Sequence, residues 1–148
     1  MIRDTEYMYK ILLIILLAAT FCALYFWPKD EKNEYLKVTV NDIQFYLEIA
    51  DENNERKEGL MYRENLCDRC GMLFIFDQKE FQGIWMRNMK IDIDVFWLDS
   101  NGVVIEMFDN MKAEKDAKQS DELALFVVEL ASDTVEKYNI GIGDQFIW

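Results

Sequence analysis

Residues 56–99 read RKEGLMYRENLCDRCGMLFIFDQKEFQGIWMRNMKIDIDVFWLD, and most of the unusual chemistry of the 148-residue chain is gathered there. Arg56 and Arg63 flank Gly59-Leu60-Met61, Cys67 and Cys70 stand three apart, and Trp85-Met86-Arg87-Asn88 precedes the strand-like run Ile91 to Leu98. Charges set among bulky apolar residues are costly to bury unless they are paired. The segment therefore reads as core and candidate site together.

Working outward, hydrophobic alternation predicts a series of short strands. Leu36, Val38 and Val40 share one face, as do Ile43, Phe45, Leu47 and Ile49, with Asn41-Asp42 as a two-residue hairpin turn between them. Further strands are expected over 72–76, 84–88, 91–98, 103–108, 123–130 and 145–148, with a mobile surface loop over 109–122. A helix capped by Asp51 would run to Arg63 and put Arg56, Leu60 and Arg63 on one face; a second, capped by Ser132 or Asp133, would end near Tyr138. The fold class expected is mainly β, a compact antiparallel sandwich or barrel with one or two short helices.

Residues 11–27, ILLIILLAATFCALYFW, carry no charge and come close to the roughly 20 apolar residues of a membrane-spanning helix. The bulky exit after Phe21 argues against signal cleavage, and Phe21 before Cys22 argues against lipid attachment there. The organisation expected is a tail over 1–10, a single-pass anchor over 11–27, a linker over 28–34 and a β-rich domain over 35–148 outside the cytoplasm. The formal net charge of −12 excludes nucleic acid as a partner through like-charge repulsion.

With no histidine in the chain, histidine-based triads and imidazole metal ligands are excluded. Cys67-x-x-Cys70 admits metal, redox or disulfide readings. Two cysteines alone do not complete a zinc site, and outside the cell a local disulfide is the preferred reading. Met61, Met72, Met86 and Met89 suit soft copper but read first as core filler, so no metal and no cofactor is assigned.

Asp92 and Asp94 would lie on one strand face about 6.5–7 Å apart, the geometry of paired catalytic carboxylates. Ion pairing with arginine is the plainer reading. Arg56 and Arg63 would meet Asp94, or Glu129, and form a receptor for an anion. Trp85 reads first as a buried anchor and, beside Asn88, as a stacking platform for a sugar or cation.

The ordered motifs Gly59-Leu60-Met61-x-Arg63, Gly71-Met72-Leu73-Phe74-x-Phe76 and Trp85-Met86-x-Asn88 resemble the family called domain of unknown function 192. Asp94, Phe96, Asp99, Gly102, Glu129-Leu130 and Ile140-Gly141-x-Gly143-Asp144 continue the resemblance. It implies a small β-rich domain, often secreted or tethered in bacteria and archaea, with no established activity. The chain departs from the family with Met89 in place of a threonine and Asp92 in place of a proline. The function expected is a membrane-tethered module that binds a small polar or anionic ligand, an envelope sugar or a partner protein through Arg56, Arg63, Trp85, Asn88 and Asp94. The alternatives are an envelope hydrolase using Asp92 and Asp94, and a purely structural or assembly role.

Overall fold

The computed structural model describes residues 10, 12–18, 20–21 and 35–148. Residues 12–18, 20 and 21 are helical and exposed; the rest of the expected anchor and the whole linker lie outside the described residues. Among the described residues no helix is long and apolar enough to cross a membrane.

The globular unit begins at residue 33. Its strands are β1 (Leu36–Val40), β2 (Ile43–Ala50), β3 (Cys70–Glu80), β4 (Gly83–Trp85), β5 (Ile93–Leu98), β6 (Val104–Met111), β7 (Ala117–Gln119) and β8 (Ala124–Ala131). Helix α1 (Asn53–Glu58) follows β2, and α2 (Thr134–Tyr138) follows β8. A six-stranded sheet has the order β1-β2-β3-β8-β5-β6, and β4 pairs with β7 in a second, two-stranded sheet.

The β1–β2 hairpin forms as its sequence predicts, with Asn41 and Asp42 both at positive φ. The wholly antiparallel sandwich or barrel does not. Strands β2 and β3 run parallel, because the long connection over 51–69 carries α1 across and returns the chain in the same direction. The main sheet is open rather than a closed barrel. The C-terminal residues are not a full strand but bridge both edges, pairing Ile147 with Thr39 of β1 and Gln145 with Val103 beside β6. Gly102, at φ +78°, makes that approach possible, since a Cβ there would lie 2.4 Å from the Phe146 carbonyl oxygen.

Both faces of the sheet are covered. One carries Val38, Phe45, Leu47, Phe96, Leu98, Val128, Leu130 and Phe146. The other carries Leu60, Met72, Phe74, Met86, Val95, Trp97 and Val127. All six residues of β5 are buried, so its alternating side chains enter the two layers in turn. The expected mobile loop over 109–122 is largely structured. Strand β6 extends into it, and β7 pairs backbone to backbone with β4. Ala-Lys-Gln has no apolar alternation, so β7 leaves no hydropathy signal.

Asp94 is fully buried, and each of its carboxylate oxygens accepts a backbone N–H within this framework. Its Oδ1 accepts from the Asn110 N–H at 2.8 Å and its Oδ2 from the Val135 N–H at 2.8 Å. It thus ties β5 to the end of β6 and to the first turn of α2. Burial pushes the carboxyl up against the pull of these two donors. Replacing Asp94 with Ala would strand two buried N–H groups. Asp94→Ala is expected to cost about 3 kcal/mol in urea denaturation and to speed amide exchange at Asn110 and Val135.

Candidate functional site

Helix α1 is capped by Glu52, one residue beyond the expected cap. The Glu52 and Glu55 side chains form a reciprocal capping box, with the Glu52 N–H donating to Glu55 at 3.1 Å. The helix stops at Glu58 because Gly59 turns to φ +51°. It therefore never reaches Arg63, and the predicted shared face of Arg56 and Arg63 is absent. Gly59 also approaches the sheet closely: a Cβ there would lie 3.2 Å from the Phe74 ring and 3.9 Å from the Glu129 carboxylate.

The two arginines have separate tasks. Arg56 donates to the carbonyls of Asp51 and of Ile75, the latter at 2.7 Å, and to Asn53 Oδ1 at 2.7 Å. Its guanidinium also lies 5.5 Å from the centre of the Phe76 ring. Arg63 makes a two-pronged pair with Glu48 of β2, one arm at 2.7 Å. The expected meeting of these arginines with Asp94 does not occur. Asp94 pairs in register with Leu130, whereas Val95 pairs with Glu129, so Asp94 and Glu129 lie on opposite faces of the sheet.

Asp92 and Asp94 are likewise separated in function. Asp92 precedes β5 and accepts from the Ala113 N–H and from Lys112 Nζ, each at 2.9 Å. The Ala113 N–H, and then Lys112, hold its carboxyl below the usual range. Each carboxylate answers its own donors, and the two share no proton.

Asn88 sits at φ +60°, a conformation asparagine tolerates, and joins two loops. Its Nδ2 donates to Tyr62 Oη at 3.0 Å, while its carbonyl accepts from the Tyr62 N–H at 2.9 Å. Cys67 and Cys70 form the expected disulfide, closing the turn that leads into β3.

Trp85 is not the buried anchor its neighbours suggested. It is 52% exposed and stands on the wall of a groove of about 540 Å³. Asn53, Arg56 and Lys57 of α1 form the facing wall, and Lys118 of β7 extends the Trp85 side. Arg56, Lys57, Gly83, Ile84 and Trp85 also line a narrower pit of about 40 Å³, large enough to hold water. Glu58, Gly59, Leu60, Met61, Phe74, Met89 and Glu129 complete it.

Glu129 is the residue the sequence reading underrated, named only within the family resemblance and as an arginine partner. It is 5% exposed, and among the described residues no cation or hydrogen-bond donor reaches its carboxyl. Burial alone pushes the group up to about 8. The signal for it in the sequence is an acid interrupting the apolar run Leu125 to Leu130.

The family's sequence profile, described as an uncharacterised ACR, matches residues 36–148. The chain belongs to the DUF192 family. Two crystal structures share the DUF192 fold seen here. One is of a protein from Sinorhizobium meliloti 1021 that bears a provisional transcription-regulator name. It is 27% identical, with a TM-score of 0.72 over 77% of this chain and 95% of that one. The other is of a protein of unknown function from Novosphingobium aromaticivorans DSM 12444. It is 25% identical, with a TM-score of 0.71 over 77% of this chain and 85% of that one. No functionally curated protein matches the DUF192 chain.

The burial of Glu129 sets a pH dependence. Its folded value of about 8 lies above the unfolded value of 4.5, so the folded state holds the extra proton between them. The contribution of Glu129 to stability is full below about pH 4.5 and is lost as pH rises through about 8. Glu129→Gln removes that titration. The stability of the variant relative to the unsubstituted protein is expected to rise by about 4 kcal/mol from about pH 5 to about pH 8.5, read by urea denaturation.

Proposed function

We propose that the domain is a binding module for a small polar or anionic ligand, with its site in the groove between α1 and the β4–β7 pair. One observation carries this reading: the groove, walled by the exposed Trp85 and the cations Arg56 and Lys57, opens over a buried acid that has no partner among the described residues. Apolar walls with a few convergent polar groups are the usual make-up of a small-ligand site. A sugar ring can stack on an indole face, and an anion is drawn by the two cations.

The same reading places the module at a membrane outside the cytoplasm, held by residues 11–27. The uncharged stretch in the sequence and the helical residues within it support an anchor. A Cys67–Cys70 disulfide fits an oxidising compartment. The provisional regulator name of the Sinorhizobium protein does not extend to DNA contact here, because a net charge of −12 opposes it.

Glucuronate, a sugar bearing a carboxylate, is a suitable first probe. Titrated into the full-length chain in detergent micelles, it is expected to shift the Trp85 indole resonance. Trp85→Ala is expected to weaken binding about tenfold, equivalent to about 1.4 kcal/mol. Binding unchanged in Trp85→Ala, or no response at the Trp85 indole, would sink the groove as the site.

A further inference from the structure

Glu129 poses a physical problem that the rest of the core does not. The other fully buried acid, Asp94, is met by two N–H donors, and Glu48 on the same sheet face as Glu129 is met by Arg63. Nothing among the described residues offsets the desolvation of Glu129, although its neighbour two residues earlier on that face, Val127, shows that an apolar side chain fits the layer. The carboxyl is not sealed in, because it lines the pit and the pit adjoins the groove. Gly59 places no side chain over the acid at the end of α1, where a Cβ would lie 3.9 Å from the Glu129 carboxylate.

Resting on the groove reading above, we infer that the pit is a carboxylate-binding subsite in which the Glu129 carboxyl, in its acid form, donates its O–H to a ligand carboxylate oxygen. An acid facing a carboxylate makes a short, charge-assisted O–H···O⁻ bond, stronger than a neutral one. The proton stays with the pair, so no other base or acid is needed. The charged side chains facing the pit are Arg56, Lys57 and Glu58, all from α1; the lining positions of β3, β4 and the loop after β4 carry no charge. Two cations against one anion at the rim attract an anionic ligand. A ligand ammonium would meet those cations and would also require Glu129 to ionise in an apolar surround.

Acetate isolates this contact from any stacking on Trp85. Titration of the full-length chain in detergent micelles, followed by carbon NMR at the Glu129 carboxyl, is expected to show acetate binding at about pH 6.5. The acid form has largely gone by about pH 9.5, so with Glu129 titrating near 8 the Kd is expected to rise about thirty-fold there. Glu129→Gln keeps an N–H donor of similar shape and is expected to bind acetate with no dependence on pH over that range. Glu129→Leu is expected to lose it. Methylammonium binding that tightens with rising pH would overturn the proposal in favour of a cation site. Acetate affinity unchanged in Glu129→Leu would overturn it, as would a Glu129 signal that responds to neither probe and so marks a pit holding water alone. Trp85 shifts with glucuronate but no Glu129 response to acetate would reject the subsite and leave the groove reading standing.

Discussion

Strand β5 is buried on both faces, and the two-residue period of its backbone therefore divides the molecule. Ile93, Val95 and Trp97 go to the layer beneath α1 and β4, while Asp94, Phe96 and Leu98 go to the layer closed by the C-terminal segment. The register with β8 carries the division across the sheet, putting Glu129 beside Val95 and Leu130 beside Asp94. A slip of one residue between β5 and β8 would bring both acids to the same face. The separate locations of Asp94 and Glu129 in the core follow from this alternation.

The two buried acids show what the division does to chemistry. Asp94 has been converted into framework: it stands in for missing backbone acceptors at a strand end and a helix start. Its oxygens are fully occupied, and a ligand would have to displace a structural bond to reach them. Glu129, on the other face, lies under a turn that Gly59 keeps free of side chains. It retains its hydrogen-bonding capacity because none of the described residues uses it. A group in that state costs stability and keeps the option of binding, a combination common at functional sites.

The surrounding loops owe their order to backbone pairing more than to side-chain packing. The Met86 carbonyl receives the Met89 and Glu114 N–H groups, and the Met86 N–H reaches the Asp116 carbonyl. Tyr62 and Asn88, both at positive φ, bind one another across the turn after Gly59. Together these links hold the β4 wall and the α1 wall of the groove at a set distance. Arg56 braces its own wall by gripping the Asp51 and Ile75 carbonyls, which leaves it a positive rim charge of limited freedom.

The sequence by itself determined the hairpin at Asn41-Asp42, a strand ending at Leu98 (read from Ile91, formed from Ile93), the cystine turn and the short helix before Tyr138. Each is encoded within a few neighbouring residues by alternation, turn chemistry or capping. The family, too, was legible in short ordered motifs. Only the tertiary structure decided that β3 runs parallel to β2, that Ala117–Gln119 is a strand, and that Trp85 faces outward. It alone decided that Arg63 answers Glu48 while Asp94 and Glu129 part company. The reason is that partner choice across a sheet depends on register between strands far apart in the chain. Local periodicity says which residues share a face of one strand, and does not say which face of the next strand they meet.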